Sequence, residues 1–165
     1  MRVSAKADYA VRASAELASN STARPLKAER ISDAQGIPIK FLEAILLELK
    51  HAGVVKSTRG PDGGYGLARP SSEISIADVI RAVDGPLANV RGERPEDAHY
   101  TGSAEHLTSV WIAVRAALRD VLEQTTLEDL VKGALPKVVH DLTENADAWV
   151  SLGRGRRPRE AHAAG

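Results

Sequence analysis

From Ser4 to Asn20 the chain is Ala-rich, and Ala10, Ala13 and Leu17, with Val3 ahead of them, recur at helical spacing, which predicts a first helix with one apolar stripe. Ser4 stands where a helix N-cap is wanted, and Asn20-Ser21-Thr22 breaks the pattern. Leu26 to Gln35 reads as a short second helix that turns Ile31 and Ala34 inward and stops at Gly36, a C-terminal cap residue. Pro38 suits the first turn of a third helix, which runs to about Ala52 and gathers Leu42, Ile45, Leu46 and Leu49 on one face. A short helix, a tight Gly-containing turn and a second helix make a helix-turn-helix pattern.

After Gly53 the period changes from helical to extended. Val54-Val55-Lys56-Ser57-Thr58 is β-branched, Arg59-Gly60-Pro61-Asp62-Gly63 is turn chemistry, and Gly64-Tyr65-Gly66-Leu67-Ala68 returns as a second strand. A hairpin directly after a helix-turn-helix is the wing of a winged helix. Pro70-Ser71-Ser72 ends it, and Ile76 to Asp84 forms another helix before Gly85-Pro86. Asn89 to Ser103 is polar and without a clear period, an exposed loop longer than usual connections. A long helix begins at Ala104, where Leu107, Val110, Val114, Ala117 and Val121 alternate steps of three and four, and Trp111, Leu118 and Leu122 widen the stripe. Two helices packing together need a heptad of this kind, although its width also suits intramolecular core. Thr125 and Glu128 have capping-box spacing and open a further helix, and an amphipathic stretch runs from Pro136 to about Leu152. The Arg-rich end from Gly153 carries too little apolar surface to pack and is expected to be disordered.

The expected fold class is therefore mostly α with a small β-hairpin wing (α+β). Its expected divisions are a winged helix-turn-helix domain over 1–87, an exposed loop over 88–103, a dimerisation helix with C-terminal helices over 104–150, and a basic tail over 151–165. Charge sharpens this division. The formal net charge is zero, but residues 1–69 carry 11 Lys/Arg against 7 Asp/Glu, whereas 70–150 carry 7 against 14. A basic first part joined to an acidic second part points to an anionic partner for the first. There is no cysteine, which removes disulfides, thiol catalysis and thiolate-held zinc or iron–sulfur clusters. No apolar run approaches the roughly 20 residues that span a bilayer. The N-terminus lacks the apolar middle of a secretory signal, so no membrane partner and a cytoplasmic location are expected.

Met1-Arg2-Val3-Ser4, Asp8-Tyr9-Ala10-Val11-Arg12-Ala13, Phe41-Leu42-Glu43, Ala52-Gly53-Val54-Val55-Lys56-Ser57, the wing from Arg59 to Pro70, and Val83-Asp84-Gly85-Pro86-Leu87 together resemble the Rrf-two family of winged-helix regulators. The likeness runs from Met1 to about Leu130, and the wing is its most specific part. The resemblance implies a homodimer on a roughly palindromic operator in double-stranded DNA, with the long helix as the dimer seam. It also implies control of transcription, commonly repression. The best-known members hold an iron–sulfur cluster on cysteines in the loop after the position of Leu87, with an acidic ligand at the position of Asp8. This chain has no such cysteines, so the resemblance carries the fold and DNA binding but no cluster, and no cofactor is expected. A small-molecule effector or a partner protein stands as the expected source of the signal.

On a third helix lying in the major groove, Lys40, Glu43 and Ala44 oppose the buried face. Glu43 could accept from a cytosine amino group, Ala44 could touch a thymine methyl, and Lys40 suits a phosphate. Many relatives have a longer polar side chain at the position of Ala44. Arg59 at the wing tip suits a narrow minor groove, and Gly60, Gly63 and Gly64 let the hairpin lie close to the DNA backbone. Tyr65 could bond a phosphate or simply cover the core. Arg2, Ser4 and Lys6 are phosphate candidates near the start of the first helix. The expected dimer interface is Leu107, Val110, Trp111, Val114, Leu118 and Val121.

Each role has a plainer alternative. Glu43 and Arg59 could be solvated surface charges. The glycine run of the wing lacks the Lys-Ser/Thr ending of a nucleotide loop, and a strand follows where a helix would be needed. His99 and His106, with Glu96, Asp97 and Glu105, could form an oxygen/nitrogen metal site, but their spacing is that of a polar loop entering a helix, and no metal is expected. No arrangement of nucleophile and base points to catalysis. A protein-interaction module that keeps the winged helix but acts through a partner is the alternative function.

Overall fold

The computed structural model describes residues 2–22 and 24–150. Ser4 accepts a hydrogen bond from the Ala7 amide at 2.9 Å and starts α1 (Ala5–Ser19). The helix buries Ala7, Ala10, Ala13 and Leu17, an inward stripe narrow enough for its neighbours to approach closely. Val3 does not join that stripe: it is 76% exposed, because it precedes the cap and lies off the helical period.

α2 (Ala28–Gln35) and α3 (Ile39–His51) are joined by a turn in which Gly36 takes φ 60°, the left-handed conformation that glycine adopts without steric cost. Arg12 donates to the Gln35 carbonyl, and the Gln35 amide reaches Glu16 at 2.8 Å, so both contacts fasten the turn to α1. Ile31 is buried as its spacing predicts, but Ala34 is exposed. The chain doubles back at Gly36, and Ile37, beyond the turn, supplies the apolar contact instead. α3 buries all four of its predicted residues, Leu42, Ile45, Leu46 and Leu49.

The wing is a two-stranded antiparallel sheet of β1 (Val55–Thr58) and β2 (Gly64–Leu67), registered Val55 to Leu67 and Thr58 to Gly64. Leu26 extends it by one bridge: its amide donates to the Tyr65 carbonyl at 2.9 Å, and the Tyr65 amide donates to its carbonyl at 2.7 Å. A Cβ on Gly64 would collide with the Leu26 carbonyl, so glycine is what lets the root of the wing lie against the segment before α2.

α4 (Ile76–Asp84) has the predicted bounds and is started by a capping box between Ser75 and Asp78. α5 (Leu107–Gln124) is the long helix. The next capping box pairs Thr126 with Asp129, one residue later than Thr125–Glu128, and opens α6 (Leu127–Lys132). Thr125 is occupied otherwise: its hydroxyl donates to the Val121 carbonyl, and its own carbonyl receives the Ile76 amide. That bond and the one from the Leu127 amide to the Ile74 carbonyl tie the start of α6 to the start of α4. α7 (Lys137–Thr143) is shorter than the amphipathic stretch predicts and gives way to a 3₁₀ turn at Ala146–Trp149. Asn145 caps that turn through its side chain, which ends the α-helical run. The segment after α4 is less irregular than expected. It holds 3₁₀ turns at Pro95–Asp97 and Gly102–Ala104, and it buries Pro95 and Ala98. The expectation of a disordered tail falls outside the described residues.

One core unites these elements. Ile31, Ile37, Leu42, Ile45, Leu46, Leu49, Ile74, Val79 and Leu127 are fully buried, so α1, α2 and α4 close around α3 and α6 seals one end. Each such side chain contributes about 1.5–3 kcal/mol when removed from water. The fold is mostly helical with a hairpin wing, a winged helix-turn-helix followed by a long helix.

Candidate nucleic-acid interface

With its apolar side committed to the core, α3 turns Lys40, Glu43 and Ala44 to solvent. Leu47, 52% exposed, and His51 share that outward side, although the sequence pattern gives neither of them a role. Their positions were legible, since three- and four-residue steps from Lys40 and Ala44 reach both. Phe41, also exposed, stands edge-on to Tyr9 with ring centroids 6.5 Å apart. Lys40 and Glu43 face each other at 3.5 Å, and the Lys40 side chain is 89% exposed, a weak pair that an incoming charge can easily replace.

The wing brings Arg59 to the same place. Glu43, Arg59, Gly60, Gly63, Gly64 and Tyr65 line one open groove, whose opposite wall is the start of α2 at Lys27, Ala28 and Glu29. At Gly63 an added Cβ would meet the Thr58 carbonyl and, at 2.8 Å, that of Gly60, so the bend requires glycine for space. Tyr65 is half-buried and packs on the core, so its ring covers the core as one of its two expected roles allowed. The sequence pattern gives no role to Lys27 and the α2 start, which reach the groove only because Leu26 pairs with Tyr65. Among the described residues no side chain caps α2, so the amides of Ala28 and Glu29, ahead of the Arg30 amide that bonds the Lys27 carbonyl, are open to a partner.

Arg2, Ser4 and Lys6 are not part of this groove. Ser4 is engaged twice, capping α1 and donating to Asp84 at 2.5 Å. Lys6 pairs with Glu48 of α3 at 3.1 Å. Arg2 lines a separate hollow with Val3, Ile80 and Leu118.

α5 presents the other candidate surface. None of its residues is fully buried: Leu107, Trp111, Val114, Leu118 and Val121 are half-buried, and Val110 is 51% exposed. Leu122 turns toward the core. Among the described residues, no helix is long and apolar enough to cross a membrane.

A family profile described as "Rrf2: Iron-dependent Transcriptional regulator" matches residues 3–133. The chain belongs to the Rrf2 family. A Mycobacterium tuberculosis protein assigned to the HTH-type transcriptional regulators, Rv1287, is 50% identical over 155 residues, which is 94% of this chain and 96% of that protein. The HTH-type transcriptional regulator IscR of Pectobacterium carotovorum is 35% identical over 90% of this chain and 88% of its own length. Among solved structures, CymR, the global cysteine regulator of Bacillus subtilis, superposes with a TM-score of 0.68 at 31% identity, covering 81% of this chain and 98% of CymR. IscR of T. potens superposes with a TM-score of 0.66 at 31% identity, covering 93% and 94%. This Rrf2 protein is thus a DNA-binding transcriptional regulator by family, and its relatives are named as regulators, not enzymes.

The family description raises the question of iron. A thiolate-held cluster has no ligands in an Rrf2 chain without cysteine. Asp8 is paired with Arg12 at 3.2 Å, and Glu96 with Arg115. His106 faces the adjacent Glu105 at 3.3 Å, with its side chain 91% exposed. Among the described residues no three His, Asp or Glu side chains converge on one point. The donor set does not fit an iron–sulfur cluster.

Proposed function

We propose that the chain is a homodimeric repressor that binds a palindromic operator in double-stranded DNA without an iron–sulfur cluster. The observation that carries this reading is the shared groove, because a solvent-facing helix side and a cationic wing tip open onto one surface. A B-DNA major groove about 12 Å wide admits α3. There Glu43 accepts from a cytosine amino group, Ala44 and Leu47 offer apolar contact to thymine methyls, and Lys40 leaves Glu43 for a phosphate. Arg59 enters the flanking minor groove, where a narrow width strengthens the negative potential. Lys27 and the open amides of the α2 start suit a phosphate between the two. Arg2 remains a phosphate candidate, whereas Ser4 and Lys6 would first have to leave Asp84 and Glu48.

Dimerisation supplies the second half-site. The domain over 1–87 reads one half-site, and the α5 stripe of Leu107, Val110, Trp111, Val114, Leu118 and Val121 packs against its copy. Two winged helices are thereby held about one DNA turn, roughly 34 Å, apart. Repression follows the family's common mode, by occupying the operator in competition with the transcription machinery. The segment over 88–103 lies between these two parts, where an effector would act on both.

Selection of random duplexes by the purified protein, followed by a salt titration on the winning sequence, tests this. A palindrome with two half-sites is expected, with affinity falling as salt rises by a log–log slope of about −0.9 per phosphate contacted. Arg59→Ala is expected to weaken operator binding by about tenfold or more. Binding without sequence preference, or an operator affinity indifferent to Arg59, would refute the reading and favour a module that recruits a partner protein.

A further inference from the structure

Away from the α3–wing groove, the segment after α4 and the middle of α5 line an open hollow of about 330 Å³. Three separate parts of the chain bring guanidinium groups to its wall: Arg81 from α4, Arg94 from the connecting segment, and Arg115 and Arg119 from α5. The lining offers only two carboxylates in return, Glu93 and Glu96. Arg115 is held by Glu96 at 2.5 Å, and Arg81 and Arg119 share the carboxylate of Glu123. Arg94 has no ion-pair partner among the described residues. Four cations so gathered repel one another unless anionic groups sit between them, and the carboxylates in place leave a surplus of positive charge.

The neighbouring carboxylates register this field. Glu96 is held below the usual carboxylate range by a hydrogen bond from its own backbone and by Arg115, and Glu123 by hydrogen bonds from Arg81 and Arg119. The rim of the cavity is fixed in one shape. Val90 and Glu93 exchange both backbone hydrogen bonds, at 2.9 and 3.0 Å, around a turn with Arg91 at φ 55° and Gly92 at φ 85°. Ala88, also in the lining, is held at φ 52°. A non-glycine residue in that conformation costs roughly 1–2 kcal/mol, so two of them in four residues mark a segment whose form is imposed by its surroundings. Pro95 and Ala98, both buried, anchor its far end. A small, preformed hollow lined by forked donors from separate elements suits an oxyanion, which guanidinium groups bind two oxygens at a time.

We propose that this cavity binds a small dianion, with its charge on carboxylate or phosphate oxygens, between Arg94 and the arginines of α4 and α5. Such a ligand would bridge Arg81, on a helix that packs against α3, to Arg115 and Arg119 of α5, and so join the DNA-reading part to the long helix. Its role as an effector rests on the operator-binding function proposed for α3 and the wing; the binding itself does not.

Calorimetric titration of the full chain with inorganic phosphate and, separately, with succinate in a chloride buffer decides it. Saturable binding of at least one probe is expected, and the one that binds identifies the source of the oxygens. Arg94→Gln, at an exposed position with no ion pair to lose, is expected to weaken that binding about tenfold, the worth of one charge-assisted hydrogen bond. Arg91→Gln, on the same turn but stacked 6.0 Å over the Tyr100 ring, is expected to leave it unchanged. No saturable binding of either probe, or equal affinity in Arg94→Gln, would overturn the proposal. Operator selection is measured separately: a chain that selects an operator but binds neither anion refutes the cavity alone, and one that binds the anion but selects no operator refutes the regulatory reading alone.

Discussion

α3 and α5 are both amphipathic helices with an apolar stripe at three- and four-residue spacing, yet the molecule treats them oppositely. The stripe of α3 is fully closed by its own chain: Leu42, Ile45, Leu46 and Leu49 are each at most 1% exposed. No residue of the α5 stripe is fully buried, and Val110 is 51% exposed. The same periodicity therefore specifies a monomer core in one place and an unfinished surface in the other. What separates them is the company each helix keeps. α1, α2, α4 and the wing surround α3, whereas α5 meets the rest of the chain along one side and at its C-terminal end. A helix buried on one face and bare on its other is free to present residues to a partner, and α3 does so with a mixed face of Lys40, Glu43, Ala44 and Leu47, while α5 does so with an apolar stripe.

The sharpest break in this comparison is expected at Leu46, which is 0% exposed. Leu46→Ala removes packing that nothing can refill and is expected to cost about 2–5 kcal/mol of folding stability, read as a lower midpoint in urea denaturation. A loss below about 1 kcal/mol would mean that the core around α3 is looser than its burial indicates.

Val110→Glu is the counterpart on α5. In an isolated chain the new carboxylate stays in water, so folding should hardly change. In a dimer seamed along α5 it meets its own copy in an apolar seam and is expected to weaken association by about tenfold or more. Sedimentation across a concentration series measures this. An association constant equal to that of the parent would remove α5 as the seam and leave its apolar stripe without a partner.

The two helices also differ in how far sequence reasoning reaches. The inward face of α3, the bounds of α4 and the strands of the wing were legible because each rests on local signals: helical period, capping residues, glycine at a turn. The errors fall where a distant part of the chain decides. Ala34 has the right spacing to face inward, but the reversal at Gly36 leaves it in solvent, and Ile37 takes its place. The pair Thr125–Glu128 and the pair Thr126–Asp129 are equally good capping boxes by sequence. The choice goes to the second because the Thr125 carbonyl is claimed by the amide of Ile76, 49 positions earlier. The candidate interface divides in the same way. The face carrying Lys40, Glu43 and Ala44 follows from period alone, whereas the place of Lys27 beside Arg59, and the engagement of Lys6 with Glu48, depend on strand pairing and helix crossing that no local pattern encodes.

The smallest effect concerns the anchored end of α5. Thr125 and Leu127, 7% and 0% exposed, hold that end to the start of α4, and Asp129 secures the junction by accepting from the Thr126 amide at 2.9 Å and the Thr126 hydroxyl at 2.7 Å. Those hydrogen bonds hold the Asp129 carboxyl below its ordinary value of 3.8. Because folding lowers this pKa, the carboxylate's contribution is fully present above the unfolded value and is lost as pH falls through the folded one. Acidification from about pH 5 downward should therefore lower the melting temperature of the parent protein more steeply than that of Asp129→Asn, which keeps an acceptor but has no proton to gain. The difference should vanish at neutral pH apart from a constant offset. Parallel melting curves for the two proteins down to the acid limit would mean that the bridge between Ser75 and Thr126 holds the end of α5 without help from the carboxylate. The contrast between an anchored end and an open middle would then rest on backbone pairing alone.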